Sequence, residues 1–106
     1  MTPWFVWVTY PSSEHAEADA RAAVDEGLAA CANILSGVRS IFRYDGRIGE
    51  TEEIGVLFKT SADSAQLLIE RLAELHPYDV PVVSGWPAAR TTPGVLSWLQ
   101  ESLRPA

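Results

Sequence analysis

Cysteine is nearly absent from this chain: Cys31 is the one thiol in 106 residues. An intramolecular disulfide is thereby excluded, and a reducing, cytoplasmic setting is expected. Basic residues are also few, 8 Lys and Arg against 14 Asp and Glu, for a net charge of −6. The cations are scattered, so the chain lacks the basic patch of a nucleic-acid or anionic-membrane binder, and neither partner is expected. No apolar run approaches the roughly 20 residues of a membrane-spanning helix. The N-terminal MTPWFVWVTYPSSE is apolar but has no basic leader and no small-residue cleavage site, so no signal peptide is expected. A Gly-rich phosphate loop, a nucleophile elbow and an HExxH pair are missing. Nothing sets Cys31 beside a histidine with a third group to orient it, so the protein is not expected to be an enzyme. Repeats, linkers and low-complexity tracts are absent too, which leaves one domain over residues 1–106.

What is present centres on residues 31–60, CANILSGVRSIFRYDGRIGETEEIGVLFKT. Asp45-Gly46 is a strong signal for a type I′ turn, which needs positive φ at both central residues. Ile41, Phe42 and Tyr44 precede it, and Ile48, Ile54, Val56, Leu57 and Phe58 follow, so the spacing predicts one long hairpin with its tip at Asp45-Gly46. From Cys31 to Tyr44 an extended strand is roughly 46 Å long. A globule of this size is only about 33 Å across. The hairpin therefore overhangs its own domain, unless Ser36-Gly37 bends it sharply. An overhang with apolar residues and open edges aggregates unless something pairs with it. The simplest tenant is another copy of the chain, so an obligate homo-oligomer is expected, with any binding site near a subunit boundary.

Around the hairpin, Trp4 to Thr9 is apolar on both alternating faces, the pattern of a central strand covered on both sides. Pro11-Ser12-Ser13 ends it and supplies an N-cap for a helix running to about Glu26, with Ala16, Ala20, Ala23 and Val24 inward and Gly27 at the left-handed C′ position. Ser61 and Asp63 open a second helix whose stripe is Ala65, Leu68, Leu72 and Leu75, and Pro77 stops it. Val82 to Trp86 reads as an edge strand between Pro81 and Pro87. Thr92 caps a last helix with Pro93 at its first position and Leu96, Leu99 and Leu103 inward. Strand, helix, strand, strand, helix, strand is the βαββαβ order of an α+β ferredoxin-like sandwich, here with a long β2–β3 hairpin and an added C-terminal helix.

Several segments, taken in order, resemble the CutA1 family of divalent-ion tolerance proteins. They are Thr9-x-Pro11, Leu28-Ala29-Ala30-Cys31-Ala32-Asn33-Ile34, Ile41-Phe42-Arg43-Tyr44-Asp45-Gly46-Arg47-Ile48, Lys59-Thr60, His76-Pro77-Tyr78-Asp79-Val80-Pro81 and Trp98-Leu99. The resemblance covers nearly the whole chain. It implies the ferredoxin-like fold and a tight cytoplasmic homotrimer whose sheets join through the long hairpins. It also implies a likeness to PII signalling proteins, which bind small effectors between subunits, and a part in tolerance of copper and other divalent ions. Four positions depart from the family pattern. Val82 stands where an acidic residue is usual, and Thr92, Val95 and Ser97 replace the Asn, Tyr and Asp of the last helix. These polar positions contribute to the family's inter-subunit pocket.

Candidate site residues follow. Cys31 is either a soft ligand for copper or a small buried residue opening a strand. His76 is either a metal ligand or a helix C-terminal cap. Arg43, Tyr44, Lys59, Tyr78, Asp79 and Trp86 either line an inter-subunit pocket for a small ligand or anchor the interface itself. His15, in the first turn of an exposed helix, is expected to be solvated. Glu50, Glu52 and Glu53 on the returning arm either attract divalent cations or form a solvated edge that blocks further pairing. Three readings of function stand: divalent-metal tolerance with copper binding, a PII-like small-molecule sensor, and a structural trimeric platform.

Overall fold

In the computed structural model, which describes residues 2–105, an antiparallel sheet carries two helices on one face. Its elements in chain order are β1 (Pro3–Tyr10), α1 (Ser13–Asp25), β2 (Cys31–Tyr44), β3 (Arg47–Ser61), α2 (Ala62–Leu75), β4 (Ser84–Pro87) and α3 (Val95–Ser102). The strand order is β2-β3-β1-β4. Each strand–helix–strand unit thus straddles a strand of the other, which is the ferredoxin-like α+β fold.

β1 separates two environments. Val6, Val8 and Tyr10 are buried beneath the helices, whereas Phe5 and Trp7 are half-buried on the opposite face. The core joins the β1 residues to Val56 and Phe58 of β3, to Ala16, Ala20 and Ala23 of α1, and to Leu68 and Leu72 of α2. The alanines let α1 lie close to the sheet. Val24, expected inward, is 41% exposed. Asp19 takes an inner position at 5% exposure, so the buried face is rotated away from Val24. The N-terminus of α1 is capped by Ser12, whose Oγ accepts from the His15 N–H at 3.2 Å. Its C-terminus is a Schellman motif. Leu28 N–H donates to Ala23 O, Gly27 N–H donates to Val24 O, and Gly27 has φ +72°.

The hairpin is as long as its sequence predicts, and Asp45 (φ +52°) and Gly46 (φ +74°) form the expected type I′ turn. Its register slips once. Leu35 faces Gly55 and Val38 faces Glu53, so Ser36 and Gly37 together oppose Ile54 in a β-bulge, with Gly37 at φ +81°. The bulge does not fold the hairpin back: the molecule measures 45 × 25 × 21 Å.

Two terminal elements depart from expectation. β4 begins at Ser84 rather than Val82, pairing with β1 only from Trp4–Pro87 to Trp7–Ser84. Two residues further along β1, the carbonyl of Thr9 is taken by the His76 ring instead of a strand. α3 begins at Val95, after a turn at Pro93-Gly94, and its N-cap is Gly94 at φ +91° rather than Thr92. Of the residues expected inward on α3, Leu99 is buried, Leu103 is half-buried and Leu96 is exposed.

Candidate functional site

The sequence-derived candidates fall in three separate places on one chain. The first is the root of the hairpin, where the segment after α2 crosses β1 and β3. α2 ends at Leu75, and the extended backbone of His76 (φ −67°, ψ 141°) turns its imidazole inward against the end of β1. His76 is 8% exposed. Its Nε2 lies 2.7 Å from the Thr9 carbonyl oxygen, and its Nδ1 lies 3.1 Å from the Tyr78 backbone nitrogen. The backbone N–H can only donate, so Nδ1 accepts and Nε2–H donates to Thr9. The neutral ring is thereby fixed as one tautomer with both nitrogens engaged. It stacks on Tyr10 at 4.6 Å between centroids and meets the Tyr78 ring at 4.7 Å.

Tyr78 extends this cluster to the hairpin. Its hydroxyl donates to Glu53 Oε2 at 2.8 Å. Burial, and then the hydrogen bond and charge of Glu53, push the phenol up to about 12. Glu53 is 8% exposed, so it is not part of a solvated acidic edge with Glu50 and Glu52. Glu50 instead pairs with Arg39 across the hairpin. Beneath His76, the hydroxyl of Tyr10 and Oδ2 of Asp19 are both buried without a hydrogen-bond partner. Burial first, and then the nearby Asp19 carboxylate, hold the Tyr10 phenol far above its ordinary range. The two groups interact through charge, with no hydrogen bond of ordinary geometry between them.

The second place is the sheet face that carries no helix. Cys31 pairs with Lys59, Lys59 with Phe5, and Phe5 with Trp86, so these four residues form one row across all four strands. Phe5 and Trp86 meet edge to face at 6.1 Å. Thr60, beside Lys59, faces the core, where its hydroxyl donates to the Leu28 carbonyl at 2.7 Å. The next row brings Asn33, Leu57, Trp7 and Ser84 together. Trp7 lies over Gly55, where a Cβ would overlap its ring. The third place is the hairpin tip, where Arg43 pairs with Ile48 and Tyr44 with Arg47. Ile41, Tyr44 and Ile48 there are 69%, 77% and 71% exposed. Asp79 is exposed on the loop that leads from Tyr78 to β4.

Cys31 and His76 are therefore not brought together. Cys31 sits in the Lys59 row on the open face, and His76 sits at the Thr9 end of β1. Among the described residues the thiol's hydrogen-bond partner is the Asn33 side-chain oxygen, at 3.9 Å. Among the described residues no group of three or more His, Cys, Asp and Glu is placed to hold a metal ion. The donors of one chain thus do not fit a metal by themselves, because a stable centre takes three or four ligands. Sequence reasoning missed Tyr10, Asp19 and the inward turn of Glu53. None of the three had a local signal: Glu53 pairs with Val38 just beyond the Ser36-Gly37 bulge, and the bulge shows only in the register.

Comparison with known proteins accords with this architecture. The family model described as CutA1 divalent ion tolerance protein matches residues 4–102. A relative from Thermus thermophilus, the divalent-cation tolerance protein CutA, is 42% identical over 97 residues, covering 92% of this chain and 94% of its own. The crystal structure of CutA1 from Oryza sativa superposes with a TM-score of 0.95 at 31% identity, covering 100% of this chain and 97% of that one. A structure described as the periplasmic divalent cation tolerance protein CutA from Archaeoglobus fulgidus gives 0.91 at 28% identity, covering 96% and 99%. A family match running through every element of the fold, joined to this level of identity, settles the placement: the chain belongs to the CutA1 divalent ion tolerance protein family.

Proposed function

We propose that this chain acts in divalent-cation tolerance as a cytoplasmic, non-catalytic homotrimer, and that its working site forms between copies. One observation carries the reading: a hairpin that overhangs the globule with Ile41, Tyr44 and Ile48 largely exposed. Exposed apolar strand of this kind is a liability unless a neighbour covers it. The helix-free face, with Phe5, Trp7, Leu57 and Trp86, calls for the same cover. A neighbour's hairpin tip laid over that face by its Phe42 and Tyr44 side would bring Tyr44 toward Lys59 and Trp86, joining residues that one chain keeps apart, while Arg43 lies on the strand's other side. The names of the relatives support the metal-tolerance part of the reading. Copper is the metal proposed, with Cys31 as its soft donor, contributed by more than one copy. His76 serves in this scheme as a structural support, since both its nitrogens are engaged.

Native mass spectrometry of untagged protein, purified without added metal, tests the reading. A trimer that takes up copper, and loses it on Cys31→Ala, is the expected result. A monomer refutes the assembly. A trimer carrying an organic mass replaces the metal role with that of a PII-like sensor, and a bare trimer indifferent to copper leaves a structural platform. Ile41→Asp is expected to give monomer or aggregate by light scattering, and an undiminished trimer would remove the hairpin from the argument.

A further inference from the structure

We propose that the Tyr78–Glu53 hydrogen bond is a brace that holds the overhanging hairpin at the angle from which a second copy captures it, so that it sets the rate of assembly. This inference rests on the trimer proposed above. β3 loses β1 at the pair Tyr10–Ile54, and the inner pairing of β2 ends at Leu35–Gly55. From Val38–Glu53 to the tip the hairpin is therefore a ribbon of two strands, with no third strand of this chain beside it. Such ribbons twist more than sheets and are marginally stable alone. The joint between ribbon and sheet is the Ser36-Gly37 bulge. Both residues are exposed, Gly37 stands at φ +81°, and nothing lies within 4 Å of the place its side chain would fill. The joint is open to solvent and is not wedged by packing.

Glu53 is the first residue of β3 on the ribbon side of that joint, and it is 8% exposed. Its Oε2 accepts from the Tyr78 hydroxyl at 2.8 Å. Among the described residues this is the one side-chain hydrogen bond from the ribbon to the rest of the chain, since those of Arg39 and Thr51 stay within it. Tyr78 is itself anchored. Its backbone N–H donates to His76 Nδ1 at 3.1 Å, its ring meets the His76 ring at 4.7 Å, and His76 donates in turn to the Thr9 carbonyl. The ribbon is thus tied to the end of β1 across the bulge by a charge-assisted bond. Cutting that bond frees the ribbon to swing. It also leaves a carboxylate that gains hydration by moving out of the globule, which draws the root the same way. In the trimer a neighbour holds the tip, so the brace matters before capture. A ribbon that samples many orientations is captured only in the competent fraction, which lowers the association rate. Tyr78 and Glu53 are accordingly positioning residues for assembly. Substitutions within an interface act chiefly on dissociation, whereas loss of the brace acts on association.

Refolding of the full chain from guanidinium tests the brace. Tryptophan fluorescence follows chain folding at concentrations too low for assembly, and light scattering follows trimer formation at higher ones. Tyr78→Phe should slow association by about threefold to tenfold, the range that one lost hydrogen bond commands. Chain folding should keep the parent rate. So should dissociation, read by exchange of isotope-labelled copies in native mass spectrometry. Glu53→Gln keeps an acceptor for the Tyr78 hydroxyl and should associate nearly as fast as the parent. Faster dissociation of Tyr78→Phe with association unchanged would place the hydroxyl in the interface and overturn the proposal. Slower chain folding that accounts for the whole delay overturns it too, as does a Glu53→Gln variant as slow as Tyr78→Phe. A parent that never assembles removes the trimer reading and this inference with it. A parent that assembles, with Tyr78→Phe keeping pace, removes the brace alone.

Discussion

Replacing His76 by Phe separates a structural histidine from a metal-binding one. Phe keeps a ring of similar size against Tyr10, which the imidazole stacks on at 4.6 Å and 24°. It removes both nitrogens, and with them the 2.7 Å contact to Thr9 and the 3.1 Å contact from Tyr78. At 8% exposure, water does not readily take their place. Each such hydrogen bond contributes about 0.5–1.5 kcal/mol net, and a partner left bare in the interior costs about 1–3 kcal/mol. Two losses of this kind, softened by the retained stacking, amount to about 2–4 kcal/mol. In a domain of this size that lowers Tm by roughly 10–20 °C. The assay is a pair of thermal melts at equal protein concentration, since the melting of an assembly depends on concentration. A copper titration of the folded proteins accompanies them. Structural support predicts a large fall in Tm with copper uptake unchanged. A Tm within about 2 °C of the parent, with copper uptake abolished, would refute the reasoning and make His76 a ligand.

Three further outcomes follow from single contacts. Tyr78 ionises near 12 rather than at the ordinary 10.0, so its contribution to stability is whole below pH 10 and fades as pH rises toward 12. Ultraviolet titration should lose a late-ionising phenol in Tyr78→Phe, whose melting point should also fall less steeply across that range. Glu26 is held below its ordinary value of 4.5 chiefly by the Arg71 hydrogen bonds, so its stabilising effect is present above about pH 4.5 and is lost as pH falls further. Melting points of the parent and Glu26→Gln should therefore converge in acid and separate at neutral pH. Gly55→Ala forces the Trp7 ring off the sheet, an overpacking cost of about 1–3 kcal/mol. Pairing it with Trp7→Phe should restore much of the lost Tm, and a double variant no better than the single would show that the clash lies elsewhere.

Much of the fold was legible because its signals are local. Asp45-Gly46 marks the turn, alternating apolar residues mark the arms, and the alanine and leucine stripes mark α1 and α2. The misread features were set by tertiary contacts. Val24 lost its inner place to Asp19, and no propensity announces a buried carboxylate beside Tyr10. β4 starts late, with His76 on the Thr9 carbonyl, a contact across 67 residues. The α3 boundary falls later than its sequence suggests because Thr-Pro is a good N-terminal signal and Gly94 is a poor one, yet the left-handed turn there decides where the helix begins. In the candidate site, residue identities were readable but convergence was not. Tyr78 meets Glu53 only because the HPY segment crosses the hairpin root, and the sequence holds no trace of that crossing.

The bulge at Ser36-Gly37 explains how so long a hairpin serves one surface. Side chains alternate across a strand, so one inserted residue exchanges the faces of everything beyond it. Before the bulge, Cys31, Asn33 and Leu35 share the helix-free face with Lys59, Leu57 and Gly55. After it, Val38 aligns with Glu53 and Phe42 with Gly49, so Val38, Phe42 and Tyr44 continue that same face while Arg39, Ile41 and Arg43 take the other. Without the extra residue the helix-free surface would carry arginines along its outer half and would hide Phe42. With it, an aromatic surface runs from Trp86 through Phe5 and Trp7 to Phe42, which lies against Gly49 with no side chain between. Glu53, the first residue paired beyond the bulge, is the one that Tyr78 and the His76 segment hold in place. The buried polar cluster at the root and the apolar surface of the overhang are thus parts of one device. The cluster fixes where the hairpin leaves the globule, and the bulge fixes which of its sides meets a neighbour.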